Sequence, residues 1–194
     1  MIRTCTLLKL RDSNFTVWDI VLIPLLSATL TAGKMALVFV PNVEIVTLLF
    51  MVYASVFGFR KTFIVALIFS TTEIFFYGVQ TWLLVYYFIW PLLIGISALL
   101  HRSTHSEWPF AITALIFGLS FGFIFAIFES FFYGISYGIV YWTRGIPFDL
   151  IHGGSNFVVV LFLFKPLYNL LTRLRDKYQP QLRSVSCERP KRLS

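Results

Sequence analysis

From Trp18 to Leu171 the chain is a succession of long apolar runs separated by short polar turns. Each run approaches the roughly 20 mostly apolar residues that an α-helix needs to cross a bilayer. In hydrocarbon there is no water to satisfy backbone N–H and C=O groups, so runs of this kind are stable there only as helices. The expected fold is therefore an all-α membrane protein, a six-transmembrane-helix bundle at about 20 residues per crossing. It forms one domain over residues 1–172, and a basic tail, 173–194, is too poor in apolar side chains to fold alone and is expected to be disordered. Composition agrees, with 58% hydrophobic and 13% charged residues against about half and a quarter in soluble domains.

Punctuation sets the boundaries. A first helix is predicted over Trp18–Val40, capped by Asp12-Ser13-Asn14 and stopped at Pro41-Asn42. Helices over Val43–Gly58 and Thr62–Val79 form a hairpin about the charged turn Phe59-Arg60-Lys61, and a fourth, Trp82–Leu100, tolerates Pro91 as a kink. The run Trp108–Trp142 is too long for one crossing, which places the end of a fifth helix near Tyr133, with Gly134–Gly138 as an interfacial segment. The sixth helix is predicted over Phe148–Leu171, after an outer loop Tyr141–Pro147, with Lys165 as a snorkelling anchor near its inner end.

The net charge of +7 reads as a topology signal rather than a nucleic-acid surface, because the basic residues gather at the termini and in short loops. Arg3, Lys9, Arg11, Arg60, Lys61, Arg102, Arg173, Arg175 and Lys177 all fall on one side of an even-numbered bundle, which the positive-inside rule makes the cytoplasm. Both termini are then cytoplasmic and the chain is a multi-pass protein of a bacterial plasma membrane. Lys9, Arg11 and Asp12 interrupt the N-terminal segment before its first apolar run, so no cleaved signal peptide is expected. Cys5 and Cys187 lie on the reducing side, where neither a disulfide nor a metal site is expected.

Ionisable groups inside a bilayer cost a few kcal/mol each and mark function by default. Lys34, Glu73 and Glu129 stand at matching depth, roughly 6–9 Å below the outer ends of helices 1, 3 and 5. Asn42, Glu44 and Gln80 lie in the adjoining outer loops, and Arg144 precedes a last helix bearing Asp149, His152 and Asn156 on one face. Aromatic residues crowd the same level: Trp82, Tyr86, Tyr87, Tyr133, Tyr137, Tyr141 and Trp142. The convergence predicts an outward-facing ligand pocket between the outer halves of helices 1, 3, 5 and 6. The competing reading is structural: Lys34 snorkels, Glu73 and Glu129 pair with it or with Arg144, and the rings form an interfacial belt.

The chain carries no Walker A sequence, no zincin spacing and no Gly-x-Ser-x-Gly elbow, and His152-Gly153-Gly154-Ser155 is a weak hint of hydrolase chemistry. No catalytic residue and no cofactor of its own is expected. Ala28, Ala32 and Ala36 recur every four residues on helix 1, as Gly118, Gly122 and Ala126 do on helix 5; such stripes allow close helix approach without saying whether the neighbour is internal or external.

The stretch Gly33-Lys34-Met35-Ala36-Leu37-Val38-Phe39-Val40-Pro41-Asn42-Val43-Glu44, with Gly145-Ile146-Pro147-Phe148-Asp149-Leu150-Ile151-His152 and Asn156, resembles the substrate-binding S components of energy-coupling factor (ECF) vitamin transporters. The resemblance covers nearly the whole chain. It implies a six-helix membrane subunit that captures a micronutrient outside and docks on a transmembrane coupling subunit and two cytoplasmic ATPases, which use the ATP. It also implies that Ala28, Ala32 and Ala36 match the family's Ala-x-x-x-Ala docking motif, and the Pro41-Asn42 region points toward cobalamin or a queuosine precursor as substrate. The alternatives from other classes are a self-sufficient proton-coupled secondary transporter using Glu73 or Glu129 and an intramembrane hydrolase around His152 and Ser155.

Overall fold

The computed structural model describes residues 17–40, 42–104 and 106–178, and these are helical apart from short connections. The helices are α1 (Val17–Ala36), α2 (Val46–Phe57), α3 (Phe59–Tyr77), α4 (Thr81–Ser103), α5 (Glu107–Tyr133) and α6 (Ile135–Tyr178). Four of them, α1, α4, α5 and α6, are long and apolar enough to cross a membrane. Asp12–Asn14, Pro41, both cysteines and the tail beyond Tyr178 lie outside the described residues.

The distribution of polarity points to a membrane protein. Asp19, Thr47, Thr62, Ser70, Glu73, Ser97, Glu129, His152 and Asn156 are buried, while Phe75, Phe88, Leu99, Ile116, Leu150 and Phe162 face outward. A water-soluble fold arranges these the other way round.

The α2 helix lies at the centre, packed mainly on α4 and α6, and all but two of its positions are buried. Its 12 residues extend only about 18 Å, well short of the ~30 Å hydrocarbon core. The difference is taken up by the segment before it. Helix α1 stops at Ala36 instead of running on to Val40, and Leu37, Val38 and Val40 continue in tight turns with i to i+3 bonds. Val40 precedes a proline, whose ring disfavours the α conformation in the residue before it. Asn42 then adopts φ 58°, a left-handed conformation that asparagine tolerates better than most residues.

At three helix junctions a glycine opens the turn, alone at Gly58 and Gly134 and followed by Val79 and Gln80 at Gly78; their φ values of 81°, 90° and 73° lie in a region costly for any residue with a Cβ. At the first of these the expected Phe59-Arg60-Lys61 loop does not form. Gly58 reverses the chain alone, and Phe59–Lys61 is the first turn of α3. Lys61 donates to the buried Asp19 of α1 at 2.5 Å, which fixes the start of α3 against the start of α1.

The largest departure from the sequence reading is α6. Helix α5 ends at Tyr133, as the run length predicts, but neither an interfacial Gly134–Gly138 segment nor a Tyr141–Pro147 loop follows. Instead α6 runs unbroken for 44 residues with Pro147 and Pro166 inside it, and Arg173–Tyr178 form its last turns. Its length, about 66 Å at 1.5 Å per residue, exceeds any single perpendicular crossing. Packing on α5 explains the continuity. Gly118 lies against Gly153, Gly122 against Asp149, and Gly138 against Ala126 and Ser130, each so close that a Cβ would clash. This seam supports the backbone on both sides of Pro147, where one helical hydrogen bond is missing. Lys165 meets Glu107 at 3.7 Å, and Arg175 donates to the Val56 carbonyl at 2.8 Å, capping the end of α2.

Candidate functional site

Ionisable side chains collect at the end of the bundle where α3 and α5 finish and α4 and α6 begin. Helix α1 packs on α3, which brings Lys34 to Glu73 as a direct ion pair. The ammonium also lies 4.9 Å from the ring centre of Tyr77, 5.2 Å from Tyr86, 5.7 Å from Trp82 and 6.0 Å from Phe69. A cation over several π faces gains about 0.5–2 kcal/mol at such sites. Lys34 is therefore held inside an aromatic cage, not stretched toward an interface. Glu73 is fully buried, and its second oxygen, Oε1, has no hydrogen-bond partner among the described residues.

A second cluster holds the 42–47 segment onto α6. His152 Nδ1 lies 3.4 Å from the Asn42 carbonyl and its Nε2 lies 3.6 Å from Glu44, while Asn156 approaches both His152 Nε2 at 3.3 Å and Thr47 at 3.4 Å. Thr47 donates to Glu44 at 3.0 Å, and Ser155 Oγ is 3.0 Å from the carbonyls of both Asn42 and His152. The i, i+3, i+4 spacing of His152, Ser155 and Asn156 puts all three on the face that meets this segment. Their role is to fix the chain that connects α1 with α2.

Between these clusters lie two neighbouring cavities. The larger, about 580 Å³, is lined by Asn42, Trp82, Tyr86, Phe121, Gly122, Phe125, Tyr137, Val140, Tyr141, Arg144, Gly145, Phe148 and Asp149. The smaller, about 280 Å³, is bounded by Lys34, Leu37, Val38, Val40, Val43, Glu44, Tyr77 and His152, and shares Asn42, Tyr86, Phe121 and Asp149 with the first. The larger volume falls within the range of small-molecule sites, which are mostly apolar with a few placed polar groups. Here those groups are Arg144 and Asp149. One oxygen of Asp149 accepts the Gly122 N–H at 3.0 Å; the other, Oδ2, is buried without a hydrogen-bond partner among the described residues.

The sequence-predicted residues thus divide. Lys34, Asn42, Glu44, Trp82, Tyr86, Tyr137, Tyr141, Arg144, Asp149 and His152 line one cavity or the other. Glu73 lies behind Lys34, and Asn156 supports His152. Glu129 pairs with neither Lys34 nor Arg144; it accepts the Thr81 hydroxyl at 2.7 Å and ties α5 to the first residue of α4. Tyr87 bonds Thr71 on α3. Tyr133 packs at a tilt on Tyr137, Trp142 packs edge-on against Phe123, and Gln80 is exposed. The walls are supplied by α4, α5 and α6 rather than by helices 1, 3, 5 and 6, with α1 and α3 reaching the smaller cavity through Lys34 and Tyr77.

Sequence reasoning missed Phe121, Phe125, Tyr77 and Phe148. The pair Phe121 and Phe125 had a readable signal: at i, i+4 they share a face of α5 with Gly122 beside them, where the chain can approach closely. Among the described residues no three His, Cys, Asp or Glu side chains are grouped as a metal site.

The Ala28, Ala32 and Ala36 stripe is exposed along its length, whereas Gly118, Gly122 and Ala126 face α6. Identical spacing therefore serves an internal seam in α5 and an open face in α1. A comparison with protein-family models, curated proteins and solved structures gave no match to this chain.

Proposed function

We propose that the chain is the substrate-capturing S component of an ECF-type importer. It would span the plasma membrane as a six-crossing bundle with both termini in the cytoplasm, bind a small micronutrient at its outer end, and dock on a transmembrane coupling subunit driven by two ATPases. The observation that carries the reading is the aromatic-walled cavity of about 580 Å³, with Arg144 and Asp149 at its lining, set at one end of a helical bundle whose perimeter is apolar. Of the two substrates that the sequence resemblance suggests, a queuosine precursor is the better match in size, since cobalamin with its corrin and nucleotide loop is far larger. The exposed alanine stripe on α1 supports the docking half of the proposal: flat, small-residue helix faces are where helices associate in lipid.

The other classes have less support. A proton-coupled carrier needs a carboxylate free to exchange its proton, and Glu73 is already matched by Lys34 while Glu129 is engaged by Thr81. A hydrolase needs a hydroxyl aimed at a base, and Ser155 Oγ instead faces two carbonyls.

The test is reconstitution. The purified chain, alone in liposomes, is expected to bind the small molecule that mass spectrometry identifies on denaturing it from native membranes, without accumulating it under any proton gradient. Accumulation by the isolated chain, driven by pH and independent of ATP, would overturn the importer reading in favour of a secondary carrier.

A further inference from the structure

The end of the bundle opposite the cavities carries a surplus of cations. Each carboxylate described there already has a partner: Asp19 with Lys61, Glu107 with Lys165 and Asp176 with Arg175. Arg60 in the first turn of α3, Arg102 in the last turn of α4 and Arg173 near the end of α6 are exposed, and none of them meets a carboxylate among the described residues.

Of these, Arg173 stands on a surface of distinctive make-up. The contact of Lys165 with Glu107 marks where α5 begins, and α6 runs on past it to Tyr178, a further ~20 Å. One side of this extension is fastened to the bundle: Tyr168 meets the His101 ring at 5.4 Å, Arg175 donates to the Val56 carbonyl at 2.8 Å, and Leu167 and Leu171 pack on the core. The other side is bare. Leu170 and Leu174 are 52% and 41% exposed, and Arg173 and Lys177 are exposed beside them. At about 100° per residue these four, with the exposed Phe162 and Leu163 earlier on the helix, fall within an arc of about 120°. Arg173 and Lys177, at i and i+4, are neighbours one turn apart, able to hold a single phosphate between them.

A strip that passes from bare apolar side chains to paired cations along one helix face is poorly matched by either solvent alone. Water leaves the leucines uncovered, and hydrocarbon leaves the cations unsolvated. A molecule with acyl chains and an anionic head answers both halves, whereas a choline head brings a cation of its own toward the arginine.

We propose that this strip is a binding site for an anionic phospholipid, with the phosphate held between Arg173 and Lys177 and the acyl chains laid along Leu170 and Leu174 toward Phe162 and Leu163. The proposal does not depend on the transport role. It is tested on the full chain in neutral detergent, by thermal unfolding while dioleoyl phosphatidylglycerol, dioleoyl phosphatidylcholine or inorganic phosphate is added. A ligand that binds the folded state raises its midpoint, and a saturable rise is expected with phosphatidylglycerol alone. Arg173→Gln is expected to weaken the apparent affinity for that lipid at least about fivefold, the worth of one such cation. Arg60→Gln removes the same charge elsewhere on this end of the bundle and is expected to leave the affinity within about twofold, since separated exposed charges are screened. Should Arg173→Gln not fold, Lys177→Gln takes its place in the comparison. No rise with phosphatidylglycerol, an equal rise with phosphatidylcholine or with inorganic phosphate, or equal weakening by the α3 and α6 substitutions overturns the proposal; the last result would mean that the lipid answers net charge and not this strip.

Discussion

Lys34 and Glu73 show how much of the site a linear reading can reach. Their place near the C-terminal ends of two helices was legible, although α1 stops at Ala36, so that Lys34 stands in its last turn and not six positions before its end. Their pairing was not, since it depends on α1 lying against α3, and nothing in the spacing of two separate runs says which helices are neighbours. The same holds for Glu129, whose partner Thr81 is one of many hydroxyls at that level. Removing one member of a buried ion pair strands the other, at a cost of about 3–5 kcal/mol, whereas replacing both with apolar groups of similar volume is often neutral. Lys34→Met is therefore expected to destabilise the chain by about that amount, and Lys34→Met with Glu73→Met to recover most of it. Denaturant unfolding in detergent measures both. A double variant as unstable as the single one would show that the cage of rings, and not the charge match, is what Lys34 contributes.

At the scale of helices, apolar run length located α4 and α5 to within a few residues and placed the break at Gly134, because length and glycine carry that information by themselves. The same reasoning failed at Pro147. A proline following a polar stretch reads as a helix start, and only the tight seam with α5 shows why α6 runs through it. The two small-residue stripes were likewise indistinguishable in the sequence, yet one is an internal contact and the other an open face. They are expected to respond oppositely to added volume. In Gly118→Val a side chain must enter where a Cβ already meets the Gly153 backbone at 2.6 Å, and overpacking of this kind costs about 1–3 kcal/mol. Ala32→Leu, on the exposed face, is expected to stay within about 0.5 kcal/mol of the parent. Equal destabilisation by the two, read from thermal unfolding of the isolated chain, would mean that the α1 face is packed internally.

For the whole molecule, the polar interior and apolar perimeter point to a membrane protein with a cavity at one end, and the proposed importer role depends on what meets α1. A close helix crossing in lipid is held by packing that bulk destroys. If α1 docks on a coupling subunit as proposed, Ala32→Trp is expected to break that contact while sparing the cavity, which Ala32 does not line. The decisive measurement is affinity purification of the tagged chain from its native membranes, with the co-purifying proteins identified by mass spectrometry. Two ATPases and a transmembrane subunit are expected with the wild-type chain, and their loss with Ala32→Trp while ligand affinity of the isolated variant is unchanged. A wild-type chain recovered without any ATPase, from membranes in which it is transporting, would contradict the importer role.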